Sequence, residues 1–386
     1  MALDRPAIQP LAFITYICLE RRMPVSPRPG LDRIPPYQPG QNPIGGGGPG
    51  VKLSANESAL GPSPKALQAY ADATEVIERY PDANAVAIRQ AIAERYALEM
   101  NMILMGIGSD ELLNGLIRAY AGPGEEVVFP SATFPLYKTY TLAAGASIVQ
   151  APDKKFTADV DALLAAVTEK TKVVVVANPN NPTGTYLPNS ELERLRAGMR
   201  DDILLIIDAA YAEYVAKPDY DPGIALVTAT DNTVMTRTFS KVHGMAALRL
   251  GWCYAHPDIV SVVGRIRSPF NVSSTAQRAG VAALADRTHE EKVIAHTAKW
   301  HGIATQRLTA LGLDVTGTEG NFVCIGFPDA AGKTASDADA YLRERNIITR
   351  AMAQFGLPGH LRVTIGNDDD MTVCLDAIEA FIETWD

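Results

Sequence analysis

Six short apolar runs between residues 103 and 236, separated by helical patterns, constrain this chain more than any other feature. They are ILMGI (103–107), EVVF (126–129), SIVQ (147–150), KVVVVA (172–177), ILLII (203–207) and TVMT (233–236). Helical spacing of apolar residues covers 84–97, 110–120, 135–144, 159–168 and 190–198. The runs are continuous rather than alternating, which is the pattern of strands buried on both faces of a parallel sheet. Strands that alternate with helices predict an α/β class: a large domain whose mostly parallel central sheet is flanked by helices. Beyond about residue 275 the pattern changes. Long helical stretches at 275–311 and 367–385 enclose shorter strand candidates at 321–327 and 361–365, which predicts a smaller α+β domain.

A chain of 386 residues is too long for one ordinary core. The expected division is an N-terminal extension over 1–30 without fixed structure, an arm over 31–55 that joins the small domain, a large domain over 56–270 and a small C-terminal domain over 271–386. The arm lies in a Pro- and Gly-rich stretch, 24–50, that cannot build a core. The apolar patch from Leu11 to Leu19 is too short to span a bilayer. Asp4 precedes it and no small-residue cleavage site follows, so it makes a poor secretory signal. Residues 1–22 therefore read as an upstream extension or an early-assigned start.

Composition narrows the partners. A net charge of −9 with no basic stripe argues against nucleic acid. Cys18, Cys253, Cys324 and Cys374 are scattered, fitting neither a disulfide framework nor a zinc site, and point to a reducing, cytoplasmic compartment. The six histidines are isolated from one another along the chain, so no metal is expected. Two nucleotide-binding look-alikes fail: GIGSDE (106–111) lacks the third glycine of a dinucleotide fingerprint, and GKT (332–334) has Phe327 where a phosphate loop begins with glycine.

Chemistry concentrates where the apolar runs end, the place open α/β sheets bind ligands. The run 203–207 delivers Asp208 and then Tyr211. A carboxylate there caps a helix, pairs with a cation or serves a ligand. The next run delivers Ser240 and Lys241, with Arg249 eight residues on. Desolvation and a nearby cation free a lysine amine for Schiff-base formation. An arginine fork suits a phosphate, and a carboxylate keeps a pyridinium nitrogen protonated. Gly108-Ser109-Asp110-Glu111 opens a helix whose free N–H groups suit an anion, or form an ordinary cap. Asn178-Pro-Asn-Asn181-Pro-Thr-Gly184 is a rigid turn able to present an amide.

With these motifs in order, the chain resembles the fold-type I pyridoxal-phosphate aminotransferases, and among them the histidinol-phosphate aminotransferase group. The resemblance spans nearly all of 31–386. It is carried by PYQPG (36–40), KLSANESALGPSPKA (52–66), RYPDA (79–83), GIGSDELL (106–113), NPNNPTG (178–184), DAAYAEY (208–214), TFSKVHGMAALRLGW (238–252), PFNVSSTAQ (269–277) and RVTIG (362–366). It implies pyridoxal 5'-phosphate as cofactor, Lys241 as the Schiff-base and proton-shuttling lysine, and Asp208 as the partner of the ring nitrogen. Tyr211 and Asn181 would donate to the phenolic oxygen, while Ser109, Asp110, Ser240 and Arg249 hold the phosphate. Phe134 matches the aromatic that stacks on the ring. Tyr80 resembles a tyrosine that reaches the phosphate from a neighbouring subunit, which implies a homodimer with shared active sites. Arg362 matches the substrate clamp, together with Asn181; Arg350 resembles a second anion-binding arginine, and Tyr37 would close over the substrate.

The resemblance implies transamination of histidinol phosphate with 2-oxoglutarate in histidine biosynthesis. The segment RAMAQFGLPGH (350–360) departs from the group's usual form and looks closer to members that also take aromatic amino acids. An alternative is a decarboxylase of the threonine-phosphate decarboxylase type, which shares fold and motifs. A cofactor-binding transcription regulator would need an N-terminal DNA-binding domain, which the proline-rich start cannot supply.

Overall fold

A computed structural model describes residues 25–28, 30–36 and 50–385; Tyr37, the glycine run at 45–48, Cys18 and the 1–22 segment lie outside the described residues. In chain order the strands are β1 (Val51–Lys52), β2 (Ile103–Gly106), β3 (Glu126–Pro130), β4 (Ser147–Ala151), β5 (Asp153–Lys154), β6 (Thr157–Ala158), β7 (Thr171–Ala177) and β8 (Leu204–Asp208). They continue as β9 (Thr233–Thr238), β10 (Gly251–Ala255), β11 (Asp314–Thr316), β12 (Phe322–Gly326), β13 (Ile347–Ile348), β14 (Arg350–Ala351) and β15 (His360–Thr364).

Among the described residues the central sheet has the order β2-β10-β9-β8-β7-β3-β4. Its strands are parallel except β10, which runs antiparallel to both neighbours. The apolar runs are needed because both faces are covered. Val173 and Val175 of β7 pack with Leu112, Phe129 and Tyr137 on one face, while Val174 and Val176 pack with Leu163, Leu192 and Leu205 on the other. Burying each such side chain contributes about 1.5–3 kcal/mol, so exposing either face would be costly. The chain is thus of the α/β class, with a largely parallel sheet between helices.

A second, antiparallel sheet, β11-β12-β15-β14, packs on the helices Arg287–Ala310, Ala335–Glu344 and Asp368–Ile382 through Trp300, Leu308, Val323, Leu342, Val363 and Phe381. β1 pairs in parallel with β13, which ties residues just after the Pro/Gly-rich stretch to this smaller body.

Besides short strands such as β11 and β14, which the sequence reading lacks, two features depart from it. β10 was not anticipated, because GWCYA offers no long β-branched run. Gly251, at its start, approaches the turn before helix Ser109–Tyr120 so closely that a Cβ would lie 2.4 Å from the Ser109 nitrogen. The stretch 275–311 is two helices, Ser274–Ala285 and Arg287–Ala310, interrupted at Asp286. Asp286 leaves helical geometry and its carboxylate accepts a 2.5 Å hydrogen bond from the Ser63 hydroxyl.

Candidate active site

Asp208 is the last residue of β8 and is only 6% exposed. One carboxylate oxygen accepts from the Tyr137 hydroxyl at 2.7 Å, the other from Thr236 Oγ1 at 3.2 Å. Burial pushes its pKa up to about 6; the Tyr137, Thr236 and Ala210 hydrogen bonds oppose that shift, and the Asp110 charge adds to it. At neutral pH it remains largely ionised. Burial and the neighbouring carboxylate hold Tyr137 well above the usual phenol range, so it stays a donor.

β9 ends at Thr238, where a local turn takes over. The Thr238 hydroxyl donates to Ser240 Oγ at 2.9 Å and accepts from the Ser240 N–H at 3.1 Å. That turn projects Lys241, whose Nζ donates to the Asn56 carbonyl at 3.1 Å and lies 5.5 Å from the centre of the Tyr211 ring. On the opposite face of the same strand, Arg237 pairs with Glu213 at 2.6 Å, both buried. This pair ties β9 to the segment that follows β8.

The far end of the site suits an anion. Helix Ser109–Tyr120 opens beside Arg249, and its first N–H groups have no partner within the helix. Arg249 Nη1 lies 3.4 Å from Ser240 Oγ and Nη2 lies 3.2 Å from Asp110 Oδ2. Gly108, at φ +84°, lets the guanidinium approach the backbone: a Cβ there would lie 2.5 Å from Nη2.

Opposite this wall stand two arginines. Arg362 and Arg350 are directly paired residues of β15 and β14. Like charges opposite each other on one face are unfavourable by themselves, an arrangement that suits a shared anionic ligand. Arg362 is 4% exposed, donates to Asn181 Oδ1 at 2.5 Å and to the Ser54 carbonyl at 3.0 Å, and sits between the Phe322 and Phe355 rings at 5.4 and 5.5 Å. Arg350 lies 5.9 Å from the Phe355 ring. The neighbouring Asn180 is locked by Thr133, Thr183 and the Ala132 carbonyl, which holds the Asn178–Gly184 turn in place.

One cavity of about 370 Å³ joins these walls, within the roughly 300–1,000 Å³ range of small-molecule sites. Ser109, Asp110, Phe134, Asn181, Asp208, Tyr211, Ser240, Lys241, Arg249, Arg350 and Arg362 all line it. Phe134 meets the Tyr137 ring edge-on at 5.5 Å. Tyr80 does not line it: this side chain is 82% exposed and stacks on Phe270 at 4.8 Å. Tyr37 lies outside the described residues. Among the described residues no cluster of three or more His, Cys, Asp or Glu is placed to hold a metal ion, and no helix is long and apolar enough to cross a membrane.

Sequence reasoning missed Asn56, Tyr137 and Phe355. Asn56 lies within a quoted motif, and its left-handed backbone (φ 53°) is a signal only the structure shows. Tyr137 falls on the apolar face of its helix and reads as core. Phe355 belongs to a short 3-10 turn with no periodicity.

The family described as "Aminotransferase class I and II" matches residues 49–378. The chain is 50% identical to a histidinol-phosphate aminotransferase of Rhodopseudomonas palustris, over 92% of this chain and 98% of that protein. It is 47% identical to the enzyme of the same name from Nitrobacter winogradskyi, with the same coverage. Among solved structures, histidinol-phosphate aminotransferase from Sinorhizobium meliloti, in complex with pyridoxal-5'-phosphate, superposes with a TM-score of 0.80 and 28% identity, covering 86% of this chain and 91% of that one.

Proposed function

The chain belongs to the class I and II aminotransferases, and from that premise we propose that it is a pyridoxal-phosphate-dependent transaminase acting on histidinol phosphate with 2-oxoglutarate as acceptor, and on aromatic amino acids besides. The observation that carries the reading is a juxtaposition. An amine (Lys241), a buried carboxylate (Asp208) and a cationic helix start (Arg249 beside Ser109) share one cavity whose other wall bears Arg350 and Arg362.

These donors fit the cofactor. Its phosphate would be held by Arg249, Ser109, Ser240 and the N–H groups opening the helix, with Asp110 beside them. Its ring nitrogen would be held by Asp208, its ring face by Phe134 and its phenolic oxygen by Tyr211 and Asn181. When bound, pyridoxal phosphate supplies an electron sink for negative charge at the substrate Cα.

The chain's own residues do the rest. Arg362 and Arg350 bind the substrate's anionic group and orient Cα toward Lys241. Lys241 Nζ takes the Cα proton as general base and, as general acid, would deliver it two atoms along, at the cofactor's C4′. A clamp of two cations accommodates either a phosphate or a carboxylate, which suits a donor and an acceptor that differ in their anion.

Tyr80 and Phe270, exposed together, are the residues we assign to a second copy of the chain in a homodimer with shared sites. The buried free thiols Cys253, Cys324 and Cys374 suit a cytoplasmic enzyme of histidine biosynthesis.

The test is direct. Borohydride reduction of the purified enzyme, followed by peptide mass spectrometry, is expected to fix the cofactor to Lys241. Histidinol phosphate is expected to turn over only when 2-oxoglutarate is supplied. Release of CO2 from threonine phosphate without an acceptor, with no turnover of histidinol phosphate, would overturn the transaminase in favour of a decarboxylase.

A further inference from the structure

We propose that Asn56 is a positioning residue that sets the direction of the Tyr211 hydroxyl proton, so that Tyr211 donates into the cavity; the inference rests on the cofactor reading above. Asn56 belongs to the segment after β1, is 1% exposed and holds a left-handed backbone at φ 53°. Among non-glycine residues asparagine tolerates that conformation best. The residue contacts both walls of the site at once.

Its hydrogen bonds have a fixed polarity. The Asn56 N–H donates to Thr364 Oγ1 at 2.9 Å. The Thr364 hydroxyl in turn gives its proton to Asn56 Oδ1 at 3.2 Å. That places the amide Nδ2 toward Tyr211, to whose oxygen it donates at 2.8 Å. An amide nitrogen only donates, so the single Tyr211 proton must point elsewhere. Tyr211 is 4% exposed and lines the cavity. The chain Thr364–Asn56–Tyr211 therefore delivers a proton donor to the ligand side, and each bond polarises the next. The Asn56 carbonyl also holds Lys241 Nζ, so one residue registers the lysine against the phenol.

The measurement follows from charge. A donor on the cofactor's phenolic oxygen favours the more negative, deprotonated form of the lysine-bound chromophore, so losing it raises that chromophore's pKa. Asn56→Gly keeps φ 53° without strain and removes the amide. Absorbance titration of the loaded enzyme is expected to show a rise of about one unit for Asn56→Gly, the size of one hydrogen bond to a charged group. Tyr211→Phe is expected to give a rise at least as large, and adding Asn56→Gly to it no further rise. Thr364→Val, which frees the amide to turn, is expected to shift the pKa the same way by less. Thermal melting of each variant before cofactor is added checks that the fold survives.

An unchanged chromophore pKa in folded Asn56→Gly would overturn the proposal. So would equal shifts in the presence and absence of the Tyr211 hydroxyl, since Asn56 would then act through Lys241 alone. If the wild-type enzyme forms no borohydride-fixed adduct at Lys241, the underlying function falls and this inference with it.

Discussion

The two walls of the cavity are built differently. On the sheet side, Asp208 ends a fully buried parallel strand, and Lys241 follows the next strand by a turn closed within two residues. To move either by an ångström, a β8–β9 register shared over Leu205–Asp208 would have to shift. On the other side, Arg350 sits on a two-residue strand, Phe355 in a 3-10 turn and Arg362 between two aromatic rings. Those contacts are side-chain packing worth about 0.5–2 kcal/mol each. The backbone thus fixes the wall proposed to perform chemistry, and side chains tune the wall proposed to select what enters. Substitutions on the first should cost rate, on the second affinity.

The largest effect is expected at Lys241. Lys241→Ala removes the group proposed to move the Cα proton, a contribution of about 10²–10⁴-fold for acid–base catalysis alone. Single-turnover kinetics with pre-bound cofactor should show at least that loss while the melting temperature barely changes, because the ammonium forfeits a 3.1 Å bond to the Asn56 carbonyl. A rate within tenfold of wild type would break the assignment.

Next comes Asp208→Asn, expected to lower kcat by about 10²–10³-fold, the scale of losing one buried electrostatic contact to developing charge. The same substitution reports on stability. In protein stripped of cofactor the folded carboxyl titrates near 6, against an ordinary 3.8. Relative to the unfolded chain, the folded state therefore favours the protonated form. Stability from this group is fully present below about pH 4 and is lost as pH rises through 6, by roughly 3 kcal/mol. Urea unfolding of wild type against Asp208→Asn should show that difference opening between pH 4 and 7. A constant difference across the range would mean that the buried carboxylate is compensated by groups other than Tyr137 and Thr236.

On the substrate wall, Arg362→Lys is expected to raise KM for both substrates by about 10–100-fold with a smaller change in kcat, because a lysine cannot reproduce the forked contacts to Asn181 and Ser54. If kcat fell instead and KM held, Arg362 would belong with the chemical wall.

The same contrast explains what could be read from residues alone. Asp208, Ser240 and Lys241 are legible as strand-end residues because each follows an apolar run that folds as a buried strand. The Gly251–Ala255 strand was invisible because its residues, Gly-Trp-Cys-Tyr-Ala, carry no β-branched run, and its place between β2 and β9 is decided by close approach at Gly251. Asn56 reaches Tyr211 across 155 residues and Thr364 across 308, distances at which no local periodicity speaks. The break at Asp286 was missed for a related reason: its partner, Ser63, is 223 residues away. Strand ends are local facts of sequence, whereas partners brought together by folding are not.

The smallest expected effect is at Phe355, and it bears most on selectivity. Phe355 is 5% exposed, lines the cavity and packs with Cys324 and Met352 behind the guanidinium of Arg362. Phe355→Leu keeps an apolar body of similar reach but removes the ring face shared by Arg350 and Arg362 at 5.9 and 5.5 Å. A swap of this kind usually costs less than about 1.5 kcal/mol, which bounds the change in KM at roughly tenfold. The loss should fall unevenly. An aromatic amino acid would lose a ring contact as well as a steadied arginine, whereas histidinol phosphate keeps a doubly charged anion on both cations. The ratio of kcat/KM for histidinol phosphate over phenylalanine is therefore expected to rise in Phe355→Leu, with kcat for histidinol phosphate near wild type. An unchanged ratio would show that selectivity on this wall comes from charge alone, and that the aromatic ring only fills space behind it.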